Sequence, residues 1–246
     1  MNNSVLIVGV YLLDKPSNIR EIKSELGKSS RLGVEQRWIG LGTGSVPEEM
    51  ADVTVHKVIP PAMKFPLLNQ LLAKVILDGF EFVVVCDDDI LLPENFLDRY
   101  LDSVTRYDFA LAQPARTHDS FSPHMIVDGF SGHPFVEQLD GLLARQTRFV
   151  EIGPIFSVHH RAFELIFPFE EESPMGWGYD FVWPHIIANA GLKMGIIDAV
   201  PIAHSLRKSG DYYQHDKARA EMKKFLAHRR HLSPEEAFFI VESYAS

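Results

Sequence analysis

The stretch FVVVCDDDILL at positions 82–92 constrains this chain more than any other. Its first five residues, Phe82 to Cys86, are all apolar, and a strand without a polar face is stable only when both of its faces are covered. Such strands belong to parallel sheets packed between helices. Three aspartates follow without a spacer, where the buried strand has to emerge. Two carboxylates about 4 Å apart repel by roughly 1 kcal/mol in water and roughly 4 kcal/mol at an effective dielectric of about 20. A proton, a basic side chain or a divalent cation has to neutralise them.

Around this stretch, apolar segments alternate with helical patterns. Strands are expected at 4–13, 34–42 and 53–59, and helices at 17–26 and from Pro66, where leucines recur at helical spacing and Gly79 supplies a stop. A helix opened by Pro93 would carry Phe96, Leu97, Tyr100, Leu101 and Val104 on one face. Further on, 108–115 reads as a strand and 117–138, rich in Gly, Pro, His and Ser, as a long loop. Residues 154–167 pass from strand to helix, 176–191 read as a helix with Pro184 in about its first turn, and 193–204 as a strand. SPEE at 233–236 matches a capping box with proline at the first helical position. The pattern predicts one α/β domain, 1–246, with a mainly parallel sheet.

At 246 residues and 46% hydrophobic, the chain can bury a full core. A net charge of −9 argues against a general nucleic-acid binder, whose phosphate contacts need a basic surface. The single cysteine, Cys86, excludes an intramolecular disulfide, no signal segment is evident, and no apolar run approaches the ~20 residues of a membrane-spanning helix. A cytoplasmic protein is expected. The basic stretch 216–231, with Lys217, Arg219, Lys223, Lys224, Arg229 and Arg230, reads as a solvated helix face or as a peripheral contact with the inner face of a membrane. There is no P-loop and no G-x-G-x-x-G after the first strand, and GFSGH around Ser131 is not a nucleophile elbow. His118, His124 and His133 are scattered through the loop, and His159 and His160 point apart if they share a strand.

Alternation along an extended chain would send Asp87 and Asp89 to one side and Asp88 to the other. The strand, the Asp-x-Asp and the following ILLPENFLDRYL resemble the metal-binding motif of GT-A-fold glycosyltransferases, which use a nucleotide-sugar donor. Upstream, PPAMKFPLLNQLL is similar to the segment before the central strand of that superfamily; downstream, GPIFSVHHRAFELI, GWGYDFVWPHI and GIIDAVPIAH follow in the expected order. These later motifs most resemble a family known only as domain of unknown function 707. The resemblance spans about residues 5–205.

It implies a GT-A-like (Rossmann-like) α/β fold, a mixed, mainly parallel sheet flanked by helices, with a nucleotide-sugar-binding part (1–115), an acceptor-binding part (116–205) and C-terminal helices (206–246). Asp89 would be a direct metal ligand, Asp87 would share the metal or hold the donor ribose, and His204 would be the third ligand. A histidine ligand tilts the choice toward Mn2+, with Mg2+ as the alternative. Asp88 would make structural hydrogen bonds. Arg207 and Lys208 would meet the diphosphate from a loop, Lys64 would contact phosphate, Asn69 would position the donor, and Tyr11 would border the base pocket. Trp177, between Gly176 and Gly178, would face an acceptor sugar, and Asp180 would be the general base of an inverting transfer from a UDP-sugar to a hydroxyl acceptor such as a glycan. Several relatives carry a Glu-Asp pair after the glycine where this chain has one carboxylate. Plainer readings stand beside these: an acidic turn for the triplet, a helix cap for Asp180, a hydrogen-bonded strand end for His204, and solvated side chains for Lys64, Asn69, Arg207 and Lys208. A phosphoester hydrolase and a non-catalytic nucleotide-sugar or glycan binder are the competing functions.

Overall fold

The computed structural model describes residues 4–121, 124–129, 141–207 and 215–246. In chain order the elements are β1 (Ser4–Leu12), α1 (Ile19–Leu26), β2 (Gly33–Leu41), β3 (Thr54–Val58), α2 (Lys64–Leu72), β4 (Phe82–Cys86), α3 (Phe96–Arg106) and β5 (Phe109–Arg116). They continue with β6 (Leu142–Thr147), β7 (Ile155–His159), α4 (Phe163–Ile166), α5 (Tyr179–Asn189), β8 (Lys193–Ile202), α6 (His215–Leu226), α7 (Pro234–Ala237) and β9 (Ile240–Ala245). The nine strands form one sheet in the order β3-β2-β1-β4-β7-β5-β8-β6-β9. Following the pairings across it, seven strands run in one direction and only β6 and β7 run against them. The sheet is therefore mainly parallel, as the pattern predicts, and mixed, as the resemblance implies.

The period-2 alternation of the central strands divides the core into two layers. Leu6 and Val8 of β1 and Val83 and Val85 of β4 face one side, where α2 and α5 pack through Phe65, Leu68, Tyr179 and Trp183. Val5, Ile7, Phe82 and Val84 face the other, covered by Ile22 and Leu26 of α1 and by α3. The α3 face is the expected one: Phe96, Leu97, Tyr100, Leu101 and Val104 are all buried. The helix nevertheless starts at Phe96, three residues after Pro93, with Asn95 in the left-handed region at φ 54°. Likewise α2 ends at Leu72, well before Gly79, ahead of the β-branched pair Val75-Ile76, whose restricted side chains favour helix less.

Pro184 lies inside α5, the sixth of its 11 residues, and not in its first turn. The capping box is present: Ser233 Oγ accepts from Glu236 N at 3.3 Å and Glu236 Oε2 from Ser233 N at 2.9 Å. Residues 206–246 are not helices alone, because β9 returns to pair with β6 at the edge of the sheet. His159 and His160 do not point apart; the strand ends at His159 and the rings lie 4.3 Å centroid to centroid. No helix among the described residues is long and apolar enough to cross a membrane. In the basic stretch, Arg229 is committed to Glu170 and Glu172, while Lys217, Arg219, Lys223 and Lys224 are exposed. Ser131, His133 and Lys208 lie outside the described residues.

Candidate active site

The aspartate triplet begins where β4 stops, at Cys86, and the chain bends through Asp88 and Asp89. Extended alternation does not persist there, so the carboxylates group differently from the expectation. Asp87 turns alone to Lys64, whose Nζ is 2.6 Å from its Oδ1 and also donates to the Ile152 carbonyl at 3.2 Å. Asp88 and Asp89 share Arg207. Asp88 also accepts from the Leu12 amide at 2.8 Å, which ties the end of β1 to the triplet in the structural role expected of it.

Arg207 is buried across the pair. Its Nε donates to Asp89 Oδ2 at 3.2 Å, its Nη1 to Asp88 Oδ2 at 3.3 Å and to the Pro16 carbonyl, and its Nη2 makes a close contact with Asp88 Oδ1. His204, just past the end of β8, brings Nε2 to 3.3 Å from Asp89 Oδ2, while its Nδ1 is buried without a hydrogen-bond partner. Its backbone is fixed on both sides: the amide donates to Ser120 Oγ at 2.9 Å and the carbonyl accepts from Phe121 N at 2.8 Å. Burial pushes Asp87 above the ordinary carboxylate value against the opposing charge of Lys64, with Asp89 adding to the rise. Burial also acts upward on Asp89, but the His204 hydrogen bond and the charges of His204 and Arg207 outweigh it and hold its carboxyl low.

Two carboxylates and an imidazole are donors that suit a hard or borderline divalent cation, and it is the Nε2 of His204 that faces Asp89. The donor types of Asp87, Asp89 and His204 therefore fit a metal. Their arrangement does not yet close on one point: among the described residues no group of three His, Cys, Asp or Glu side chains is placed to hold an ion. The protein's own cations, Lys64 and Arg207, neutralise the triplet here.

The second half of the site is built by the turn before α5. Gly176 (φ 82°) and Gly178 (φ 99°) take left-handed conformations, and a Cβ at Gly176 would fall 2.0 Å from the Phe65 ring. Between them the Trp177 carbonyl accepts from Ser173 Oγ at 2.8 Å, and the half-buried indole meets His215 edge-on at 5.8 Å. Asp180 follows in the first turn of α5, buried, with Oδ1 unpartnered. A helix N-terminus favours the ionised carboxylate. Burial outweighs that and, with the charge of Glu151 adding, pushes Asp180 up to about 7.

Two expected donor contacts have their polar groups taken up by the protein. Tyr11 lies at the carboxyl end of β1, next to the Leu12 amide that bonds to Asp88, but its ring is buried and its hydroxyl hydrogen-bonds Thr54 Oγ1 at 2.9 Å. The Asn69 carboxamide is consumed by the Phe169 backbone, donating to its carbonyl at 2.7 Å and accepting from its amide at 2.8 Å. Asn69 instead lines a groove of 1620 Å³ that also takes in Phe80, Glu81, Asp108 and His159. That groove opens at the start of β4 and β5, the end of the sheet opposite the triplet. Burial, with the charges of His160 and Arg161, pulls His159 down to about 4 there. The groove has acids of its own, Glu81 and Asp108 among them, but ligands of open α/β sheets bind beyond the carboxyl ends of the strands, where the triplet lies.

Sequence reasoning passed over Glu151 and Arg116, which form a buried ion pair. The available signal was an acid set between Val150 and Ile152, apolar neighbours unusual for a solvated glutamate.

No family model matches the chain and no curated protein matches it, so the likeness to domain of unknown function 707 finds no support. Solved structures do match in fold. GalNAc-T7 with UDP, GalNAc and Mn2+ aligns at a TM-score of 0.56 and 10% identity over 86% of this chain and 45% of that one. The mannosyltransferase PcManGT from Pyrobaculum calidifontis, in complex with GDP-Man and Mn2+, aligns at 0.56 and 14% identity over 96% of this chain and 67% of that one. S. aureus TarS 1-349 with UDP-GlcNAc aligns at 0.56 and 12% identity over 91% and 65%. This chain thus spans between 45% and 67% of the lengths of those proteins. Its mixed, mainly parallel sheet with helices on both faces is the GT-A fold of these glycosyltransferases.

Proposed function

We propose that the chain is a glycosyltransferase that moves a sugar from a nucleotide-sugar, UDP-linked in the first instance, to a hydroxyl of a glycan or other acceptor, with inversion. The observation that carries this reading is the convergence of Asp87, Asp88, Asp89, Lys64, His204 and Arg207 at the carboxyl end of β4 in a GT-A sheet. The fold neighbours hold UDP with GalNAc and Mn2+, GDP-Man with Mn2+, and UDP-GlcNAc. Asp87, Asp89 and His204 would hold the Mn2+, or Mg2+, which when bound neutralises negative charge on the diphosphate leaving group. Lys64 and Arg207 already stand at that edge as cations and would turn from the carboxylates to the diphosphate.

Asp180 takes the proton from the acceptor hydroxyl as its oxygen bonds to the anomeric carbon and the bond from that carbon to the diphosphate breaks. A carboxyl at about 7 suits a general base working near neutral pH. Trp177 offers an indole face to the C–H side of the acceptor sugar.

The test is the melting temperature of the purified protein with UDP, GDP and their sugar conjugates, with and without Mn2+, beside Asp89→Ala. A nucleoside diphosphate should raise Tm only when Mn2+ is present, and Asp89→Ala should lose the rise. If no nucleotide shifts the melt of the folded protein under either condition, the donor site is absent and the reading fails.

A further inference from the structure

Asp87 stands just past β4 and His204 just past β8, and in the sheet β7 and β5 lie between those strands. Among the described residues no ladder pairs β4 with β8, so something else has to set the spacing of the two side chains. Asp89 is tied to His204 through the backbone, because Leu91 and Ala203 exchange bonds of 2.8 and 3.2 Å. Asp87 is held instead by the loop 151–154 ahead of β7. Its amide donates to the Pro154 carbonyl at 2.7 Å, and its partner Lys64 donates to the Ile152 carbonyl at 3.2 Å. His204 is held by the turn 117–121 after β5. There Ser120 Oγ accepts from the His204 amide at 2.9 Å, and the Phe121 amide donates to the His204 carbonyl at 2.8 Å.

Arg116, the last residue of β5, joins these two holders. Its Nη1 donates to the Phe121 carbonyl at 2.8 Å, and its Nη2 donates to the Gly153 carbonyl at 2.9 Å and makes a close ion pair with Glu151. The loop is tight at that point: a Cβ at Gly153 would be 2.9 Å from Asp87 Oδ2 and 3.2 Å from Lys64 Nζ. Arg116 and Glu151 are both buried, so little water competes for these bonds. We infer that Arg116, clamped by Glu151, is a positioning residue: its two-armed guanidinium fixes the backbone beneath Asp87 and Lys64 against the backbone that carries His204, and so sets whether Asp87 and His204 can serve one cation. It touches neither donor nor acceptor in this role. The role rests on the reading of Asp87, Asp89 and His204 as metal ligands. A lysine at this place would keep a cation beside Glu151 but put one compact ammonium where the planar fork had two arms.

The experiment compares wild type with Arg116→Lys, using Mn2+ alone and Mn2+ with UDP as probes. Electron paramagnetic resonance reads the affinity for Mn2+, and spin-echo modulation reads whether a histidine nitrogen is bound to the ion, with His204→Ala to identify that signal. Melting in EDTA reads the fold without metal. Arg116→Lys should melt cooperatively in EDTA, yet bind Mn2+ about 10–100-fold more weakly, as is typical when an outer positioning partner is lost, and lose the nitrogen modulation. Should Arg116→Lys not fold, Arg116→Gln combined with Glu151→Gln takes its place, because removing both charges leaves no buried charge uncompensated, and the same two losses are expected. A folded variant that binds Mn2+ as wild type does overturns the assignment and leaves the transferase reading intact. Weaker binding with the nitrogen modulation retained also overturns it, since the ligands then still meet on one ion without the fork. Wild type alone decides the ligand reading: if it gives no nitrogen modulation with Mn2+, with or without UDP, His204 is not a ligand and Arg116 has no such pair to position.

Discussion

Arg207 Nε stands 3.2 Å from Asp89 Oδ2, in a contact that spans 118 residues of sequence and is buried at both ends. The crowded charges after β4 are thereby neutralised from within the chain. A buried arginine that satisfies carboxylates is both a structural tie and a competitor for any external cation, because a metal and a guanidinium seek the same oxygens.

This competition gives a test of the site. Removing one partner of a buried ion pair typically costs about 3–5 kcal/mol, because the other charge is left without compensation. Arg207→Ala should therefore melt well below wild type in EDTA. It should also recover more with Mn2+ than wild type does, because the ion no longer has to displace the guanidinium. Calorimetry of both proteins across a Mn2+ series measures this. An equal response in the two would show that Asp89 and its neighbours do not take up metal.

The framework of this protein is legible in its sequence because burial leaves a period. β1 and β4 alternate between two covered faces, and α3 repeats its apolar residues every three or four positions. Two strands left no such trace. β9 is exposed at five of its six residues, so it has no buried face to reveal it. β6 carries Arg145 at its centre, a residue that reads as surface in any pattern, although it is fully buried against Asp198.

The site was legible by residue type and less so by grouping. Asp87, Asp89 and His204 can be picked out because carboxylates and an imidazole at strand ends are chemically conspicuous. Which carboxylate meets which cation depends on the bend after Cys86, and nothing local in DDDIL encodes that bend. A polar group beside a predicted site is as readily satisfied by a neighbour, as the Tyr11 hydroxyl is by Thr54 and the Asn69 carboxamide by the Phe169 backbone.

Asp180 sets a pH dependence of stability. Its carboxyl rises from the ordinary 3.8 to about 7 on folding, so the folded state binds a proton that the unfolded chain releases. A raised value of this kind contributes stability that is present below about pH 4 and lost as pH climbs through 7. At 1.36 kcal/mol per pH unit, the loss is on the order of 4 kcal/mol at most. Asp180→Asn removes the titration. Its stability relative to wild type should rise steadily from pH 4 to pH 8, as measured by urea unfolding at each pH. A constant difference across that range would mean that Asp180 ionises in the folded protein as freely as in water.

Gly176 is a place where no other residue fits. A side chain there meets both the left-handed φ of 82° and the Phe65 ring, 2.0 Å from where its Cβ would stand. The backbone conformation costs about 1–2 kcal/mol and the overpacking about 1–3 kcal/mol. Gly176→Ala should thus lose roughly 2–5 kcal/mol of stability, while Gly191→Ala, also at positive φ but with open space around it, should lose less. Equal losses in the two would put the cost in the backbone alone.

The pair Arg145–Asp198 holds the C-terminal half of the sheet to the segment after β5. Arg145 grips Asp198 with two bonds, 2.9 Å from Nε and 2.8 Å from Nη2, and donates to the carbonyls of Ile126 at 2.7 Å and Asp128 at 3.1 Å. Burial alone pushes Asp198 above the ordinary carboxylate value, with the arginine pulling the other way. In Arg145→Met the opposing pull is gone, so Asp198 should stay buried only by keeping a proton. A proton held more tightly in the folded state makes stability fall as pH rises, so the loss in Arg145→Met should be greater at pH 8 than at pH 5. Adding Asp198→Asn should remove that pH dependence and recover part of the loss, because no buried charge then remains. Urea unfolding of the single and double variants at both pH values measures this. A pH-independent loss in Arg145→Met would show that Asp198 finds water or another cation when its arginine is removed.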